Sequence, residues 1–177
     1  MGKKQIIFVI GILTGSSIES RWKSWLERIF PHDEIIMIGG YYTYFDFNTM
    51  QKKVTEIEKL IESNKETILI GHSFGGIIIN SALNKSKKNN VTRFISIFSP
   101  HSYTLFGMNK RKKLLGYSQI ENKNITLKSF GAYFDHLVPF FSSKQKNSIH
   151  KNYFTDHYIR LSRSEKFFKK VILEGLK

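Results

Sequence analysis

The chain has 177 residues, 41% of them hydrophobic and 14% aromatic, with 28 lysines and arginines against 14 aspartates and glutamates, a formal net charge of +14. That length supports one substantial core and is too short for two, so a single domain over residues 1–177 is expected. The absence of cysteine excludes disulfides, zinc thiolate sites and iron–sulfur clusters, while the excess of cations favours weak attraction to anionic surfaces.

Taken in chain order, Lys3-Lys4 followed by the apolar run Gln5–Leu13 has the outline of a secretory signal, but a strand over Gln5–Ile10 is the stronger reading. The run is short, no Ala-x-Ala-like cleavage site follows, and cleavage would remove the glycine loop Gly11-Ile12-Leu13-Thr14-Gly15. It is also far too short to span a bilayer, and Ile6 stands where a myristoylation signal needs serine or threonine. Trp22, Trp25, Leu26 and Ile29 then fall at helical spacing, and Met50, Val54, Ile57 and Ile61 make a second such stripe; both are read as core faces. Between them lie a strand at Glu34–Ile38 and the aromatic run Tyr41-Tyr42-Thr43-Tyr44-Phe45-Asp46-Phe47, which could wall an acyl pocket or simply pack a loop.

Further strands are expected at Thr67–Ile70, Arg93–Phe98 and Asn124–Phe130, with a short sixth at Tyr153–Thr155 before a closing helix. Strands alternating with helices predict an α/β fold of about six mostly parallel strands with helices on both faces. The one long irregular stretch, Pro100–Lys123, reads either as a flap over a site or as a surface excursion with a short helix.

Gly71-His72-Ser73-Phe74-Gly75 joins the run Thr67–Ile70 to a second apolar stretch, Gly76–Ile79. This is the pattern of a nucleophile elbow, a sharp strand-to-helix turn with glycines where side chains would clash and the serine oxygen projecting above the sheet. Such a serine needs a base and an acid to orient it. In the order Ser, acid, His, Asp33 and Asp46 come too early, leaving Asp135 and Asp156, with Glu121 a distant third. Asp135 stands just past the carboxyl end of a strand, where ligand-facing groups gather in a parallel sheet, and is assigned as orienter. His157 is assigned as base; His101 is its main rival and His150 a weaker one, whereas His72 is expected to pack beneath the turn and His32 and His136 to be solvated. Backbone donors for a developing oxyanion are expected at Phe74, after the nucleophile, and at Ile12 in the first loop, with Leu13 second.

With Val9-Ile10-Gly11-Ile12, Gly71-His72-Ser73-Phe74-Gly75, Asp135-His136-Leu137-Val138-Pro139 and His157 before a last helix, the chain resembles a minimal α/β-hydrolase, most closely the small lid-less bacterial lipases and esterases, over nearly its whole length. The resemblance implies Ser73, Asp135 and His157 as catalytic residues and the amides of Ile12 and Phe74 as the oxyanion hole. Two positions depart from it: Ile10 stands where many relatives have histidine, and Asp156 where many have glycine before the catalytic histidine. An acid beside the base could compete with Asp135 for it.

The expected activity is cleavage of carboxylic esters through an acyl-enzyme on Ser73, with the ester preference resting on the resemblance; thioesters and amides remain open. The competing expectation is a catalytically silent hydrolase fold that binds an anionic partner. No metal or organic cofactor is expected, since no His-Glu-x-x-His spacing occurs, and no specific nucleic-acid binding, since the lysines are scattered without a recognition motif. The substrate is expected to be a small or lipid-like acyl ester and the location cytoplasmic.

Overall fold

A computed structural model of the chain describes residues 3–11, 15–39, 47–61, 65–86, 90–102, 108–118, 120, 124–157 and 159–177. Strands β1 (Gln5–Val9), β2 (Glu34–Ile38), β3 (Thr67–His72), β4 (Val91–Ile97), β5 (Thr126–Ala132) and β6 (Ile149–Tyr153) alternate with helices α1 (Ser16–Ile29), α2 (Phe47–Ile61), α3 (Phe74–Lys85), α4 (Met108–Leu114), α5 (Ile159–Arg163) and α6 (Glu165–Leu176). All six strands pair in parallel in the order β2-β1-β3-β4-β5-β6. The chain therefore winds one way from β1 to β2 and the other way from β3 onwards. That reversal, at the carboxyl ends of β1 and β3, is the topological switch point where open parallel sheets bind their ligands.

Side-chain alternation along the strands builds two cores. Ile7 and Val9 of β1 face a cluster with Met50, Val54, Ile57 and Ile61 of α2 and the apolar residues of α3. Ile6 and Phe8 face the other way, against Trp22, Trp25 and Leu26 of α1 and Phe168, Val171 and Ile172 of α6. Burial on both faces is why β1 and β3 read as unbroken apolar runs. The two helical stripes are core faces, as the spacing predicts, with Ile29 only partly buried at the end of α1. Among the described residues no helix is long and apolar enough to cross a membrane.

Only β2 keeps its expected bounds: β1 ends one residue early at Val9, β4 runs Val91–Ile97 rather than Arg93–Phe98, and three further boundaries differ because pairing overrides composition. β3 runs on through Gly71 and His72, which pair with Ser96 and Ile97 of β4. β5 starts and ends two residues late, in register with Arg93 to Ile97. The sixth strand is Ile149–Tyr153 rather than Tyr153–Thr155; the Thr155 amide turns back to the carbonyl of Tyr153 at 3.0 Å. β6 is an edge strand with one neighbour, so Ile149-His150-Lys151-Asn152 can stay polar and largely outside the core, and the hydrophobic signal of a strand is missing.

Within 100–123 the structure contains the short helix α4; residues 103–107, 119 and 121–123, and with them the flap reading, lie outside the described residues. The basic run here is not wholly solvated. Lys112 is buried, with Nζ donating to the carbonyl of Ser102 at 3.3 Å and lying over the Tyr117 ring, and burial pushes its pKa down to about 8.

Candidate active site

β3 passes into α3 through the single residue Ser73, which takes φ 54° and ψ −129°, a conformation costly for any residue with a side chain. It is pinned from both ends: the Ser73 amide donates to the carbonyl of Ile97 at 2.9 Å, and the Gly76 amide donates to the carbonyl of Ser73 at 3.1 Å. The flanking glycines are demanded by space. A Cβ on Gly71 would stand 2.6 Å from the Cα of Gly76, and one on Gly75 would stand 2.2 Å from the carbonyl oxygen of Val9. Gly11, at the end of β1, lies so close that its Cβ would meet the Cβ of Ser73 at 2.5 Å. The serine is thus carried at the switch point between the carboxyl ends of β1 and β3.

His157 and Asp135 converge on this point from the loops after β6 and β5. The Nδ1 of His157 donates to Asp135 Oδ2 at 2.5 Å, and its Nε2 lies 2.9 Å from Ser73 Oγ. The Asp135 side chain is wholly buried, and its other oxygen accepts from the amides of Leu137 at 2.8 Å and Val138 at 2.7 Å. Those two amides stabilise the ionised carboxylate in a dry setting and fix which oxygen faces the imidazole. With Nδ1 committed to a carboxylate, Nε2 is the unprotonated nitrogen and accepts from the serine hydroxyl. Ser73 itself is only partly buried, so its oxygen can be approached.

The rival residues go elsewhere. His101 is buried between Ser96 Oγ at 2.6 Å and the Tyr117 hydroxyl at 3.1 Å, and His150 bonds to Ser129 Oγ at 2.8 Å and Asn152 Oδ1 at 3.0 Å. It is Asp135, not its neighbour Asp156, that takes Nδ1 of His157. Asp33 accepts from the Lys4 amide at 3.0 Å, at the opposite end of β1. His32 and His136 are exposed, as expected. Ile12 and Leu13, Glu121, Asp46 and the aromatic run up to Phe45 lie outside the described residues. Phe74 is the first residue of α3, where backbone amides lack helical partners and the helix dipole is positive.

Two buried neighbours support the site: His72, which packs beneath the turn as expected, and Phe98, which no sequence pattern singled out. His72 is fully buried beneath the elbow, edge-on to Trp22 with ring centroids 5.0 Å apart, and its Nε2 donates to the backbone carbonyl of His157 at 3.4 Å. Phe98, buried and at φ 52°, packs its ring against both His72 and His157. Together they hold the segment bearing His157 from below.

Burial pushes the pKa of His72 down to about 3, helped by the nearby His157, and burial does the same to His101, helped by Lys112. Both are neutral in the folded protein and charge readily once unfolded, where a histidine titrates near 6.5. Their depressed values mean that the unfolded state takes up protons first, so stability is complete above pH 6.5 and falls as pH drops toward 3. Each histidine contributes a slope of roughly 1.4 kcal/mol per pH unit across that window. Thermal melts of the parent and His101→Gln between pH 7 and pH 4.5 check this: the parent's melting temperature is expected to fall more steeply, and parallel curves would contradict it.

Comparison with known proteins places this geometry in context. A family model described as palmitoyl protein thioesterase matches residues 12–171. No curated protein matches the sequence. Among solved structures, the ydeN gene product of B. subtilis superposes with a TM-score of 0.69 at 14% identity, covering 98% of this chain and 99% of that one. An extracellular α/β-hydrolase from a Paenibacillus species gives 0.63 at 11% identity, covering 97% and 98%. The esterase RhEst1 from Rhodococcus gives 0.63 at 11% identity, covering 99% and 91%. At such identities the structures speak for the fold, which is that of the α/β-hydrolases. The family match runs from the first-loop residue Ile12 through the elbow, the Asp135 turn and His157 into α6, and on that extent the chain belongs to the palmitoyl protein thioesterase family of α/β-hydrolases.

Proposed function

We propose that the protein is a serine hydrolase that cleaves carboxylic esters through an acyl-enzyme on Ser73, with Asp135 and His157 completing the triad. The observation that carries this reading is the unbroken relay from Ser73 Oγ through His157 to the buried Asp135 carboxylate. His157 Nε2 takes the hydroxyl proton as Ser73 Oγ bonds to the acyl carbon, and the carbonyl π electrons move onto oxygen. Collapse of the tetrahedral adduct expels the leaving group, which receives that proton from Nε2. A water, deprotonated by the same nitrogen, then adds to the acyl carbon, and the free acid departs as Ser73 recovers its proton. Asp135 keeps its charge throughout and steadies the imidazolium. The Phe74 amide at the start of α3 and the Ile12 amide of the first loop are the proposed donors to the oxyanion. No step calls for a metal or cofactor.

A second reading, thioester in place of oxygen ester, is favoured by the family model, whose description names a palmitoyl protein thioesterase. The chemistry is the same until the leaving step, where a thiolate departs with less need of the proton on His157. The substrate on either reading is a small or lipid-like acyl compound.

The test is intact-mass analysis after exposure to a fluorophosphonate probe. One adduct is expected on the parent chain and none on Ser73→Ala or His157→Ala. No adduct on the folded parent would overturn the hydrolase reading in favour of a silent fold that binds an anionic partner. Turnover of matched oxygen esters and thioesters bearing the same acyl chain separates the two substrate readings.

A further inference from the structure

Nine large apolar side chains are exposed among the described residues, and seven of them fall within residues 133–154. Five form a continuous ladder: Phe134 to Phe154 at 6.3 Å between ring centroids, Phe154 to Tyr133 at 4.8 Å, Tyr133 to Phe140 at 5.3 Å, and Phe140 to Phe141 at 5.7 Å. Phe154 is 75% exposed, Phe134 60% and Phe141 59%. Single exposed apolar residues are ordinary, but a contiguous aromatic surface of this kind marks an interface.

Its surroundings decide the partner. Phe154 also lines a groove between the end of β6 and α6 that contains Arg160, Lys166 and Lys170 and, in its lining among the described residues, no carboxylate. Arg160 is held there, donating to the carbonyl of Phe154 at 3.3 Å and lying 4.7 Å over the Phe167 ring. Glu174 and Glu165, on the same helix, are engaged by Lys151 and by Arg28. An aromatic surface flanked by cations, on a chain of net charge +14, complements a layer that is apolar inside and anionic at its surface.

We infer that the aromatic ladder Tyr133–Phe134–Phe140–Phe141–Phe154 and the basic groove of Arg160, Lys166 and Lys170 form a docking surface for an anionic phospholipid bilayer. The rings enter the headgroup layer while the cations pair with lipid phosphates. Phe134 and Phe154 follow the carboxyl ends of β5 and β6, the end of the parallel sheet that also carries Ser73 after β3, so docking brings the site's end of the sheet toward the membrane. The inference does not depend on which acyl bond is cleaved, or on cleavage at all.

The experiment is vesicle flotation of the full chain, with vesicles of phosphatidylcholine alone or mixed with phosphatidylglycerol. Binding to the anionic vesicles, weakened by salt, is expected, with little binding to the neutral ones. Two double variants, Phe141→Ser with Phe154→Ser and Lys166→Glu with Lys170→Glu, are each expected to lower apparent affinity roughly tenfold or more with melting temperature unchanged. Lys52→Glu with Lys59→Glu, the same charge change on exposed positions of α2, is expected to retain most of the binding. Any of four results would overturn the inference: no binding to anionic vesicles, equal binding to neutral ones, equal loss in the α2 variant, or a dimer in sedimentation that Phe141→Ser with Phe154→Ser dissociates. The last would make a second copy of the chain the occupant.

Discussion

Replacing Ser73 with alanine is expected to lower kcat on an activated ester by roughly 10⁵-fold while leaving the melting temperature close to that of the parent. Among the described residues Ser73 Oγ bonds to His157, and its backbone is held by the Ile97 and Gly76 contacts that alanine keeps. What disappears is the proposed bond-forming atom, and proximity and oxyanion donors alone leave only a small residue of catalysis. On the proposed triad, in which the three side chains act in series, His157→Ala is expected to cost about as much, and Ser73→Ala with His157→Ala little more than either alone. Asp135→Asn is the informative partial case: it keeps the shape but offers an N–H or a neutral oxygen to His157, and a loss of about 10⁴-fold in kcat is expected. Steady-state kinetics on the three single variants and the double check these values. Additive losses, or a Ser73→Ala protein within about tenfold of the parent, would remove the triad assignment.

The second large effect is on stability. Gly75→Ala adds a carbon 2.2 Å from the carbonyl oxygen and 2.7 Å from the carbonyl carbon of Val9. Neither can move aside, because Val9 belongs to β1, paired with Ile38 on one side and Gly71 on the other. α3 must lift off the sheet, taking Ile77, Ile78 and Ile79 partly out of the core. A cost of about 3 kcal/mol or more is expected, equivalent to a fall of roughly 6–12 °C in melting temperature for a chain of this size. Gly15→Ala is the control, since its added carbon meets nothing within 4 Å. Equal melting temperatures for the two variants would contradict this account of the elbow.

Much of this was legible in the residues because it is governed by short-range rules. The elbow is a matter of five residues and their immediate sterics, and the strand before it and helix after it follow from runs of Ile and Leu that have little choice once buried on both faces. The stripes of α1 and α2 are visible at helical spacing. β6 was displaced in the sequence reading because an edge strand needs only a partner's free hydrogen-bonding groups, and Ile149-His150-Lys151-Asn152 bears no hydrophobic mark of it. Nothing in the basic run Lys110–Lys113 marks Lys112 as buried; the fold buries it because a carbonyl and an aromatic face meet it there.

By itself, then, the sequence determined the α/β class, the elbow at Ser73, and a short set of acids and histidines ordered so that Asp135 and His157 stood first. Chain order and turn chemistry are local properties, and they survive without coordinates. Only the tertiary structure decided which histidine meets the serine, since His157 lies 84 residues away from Ser73 and His101 only 28, and proximity along the chain points the wrong way. The packing of both sheet faces sends His101 to Ser96 and Tyr117, lays His72 under the carbonyl of His157, and gathers Tyr133, Phe140 and Phe154 into one exposed surface. Those contacts arise from strand register and from which apolar faces are covered, quantities that depend on the whole chain at once and that no short stretch of residues encodes.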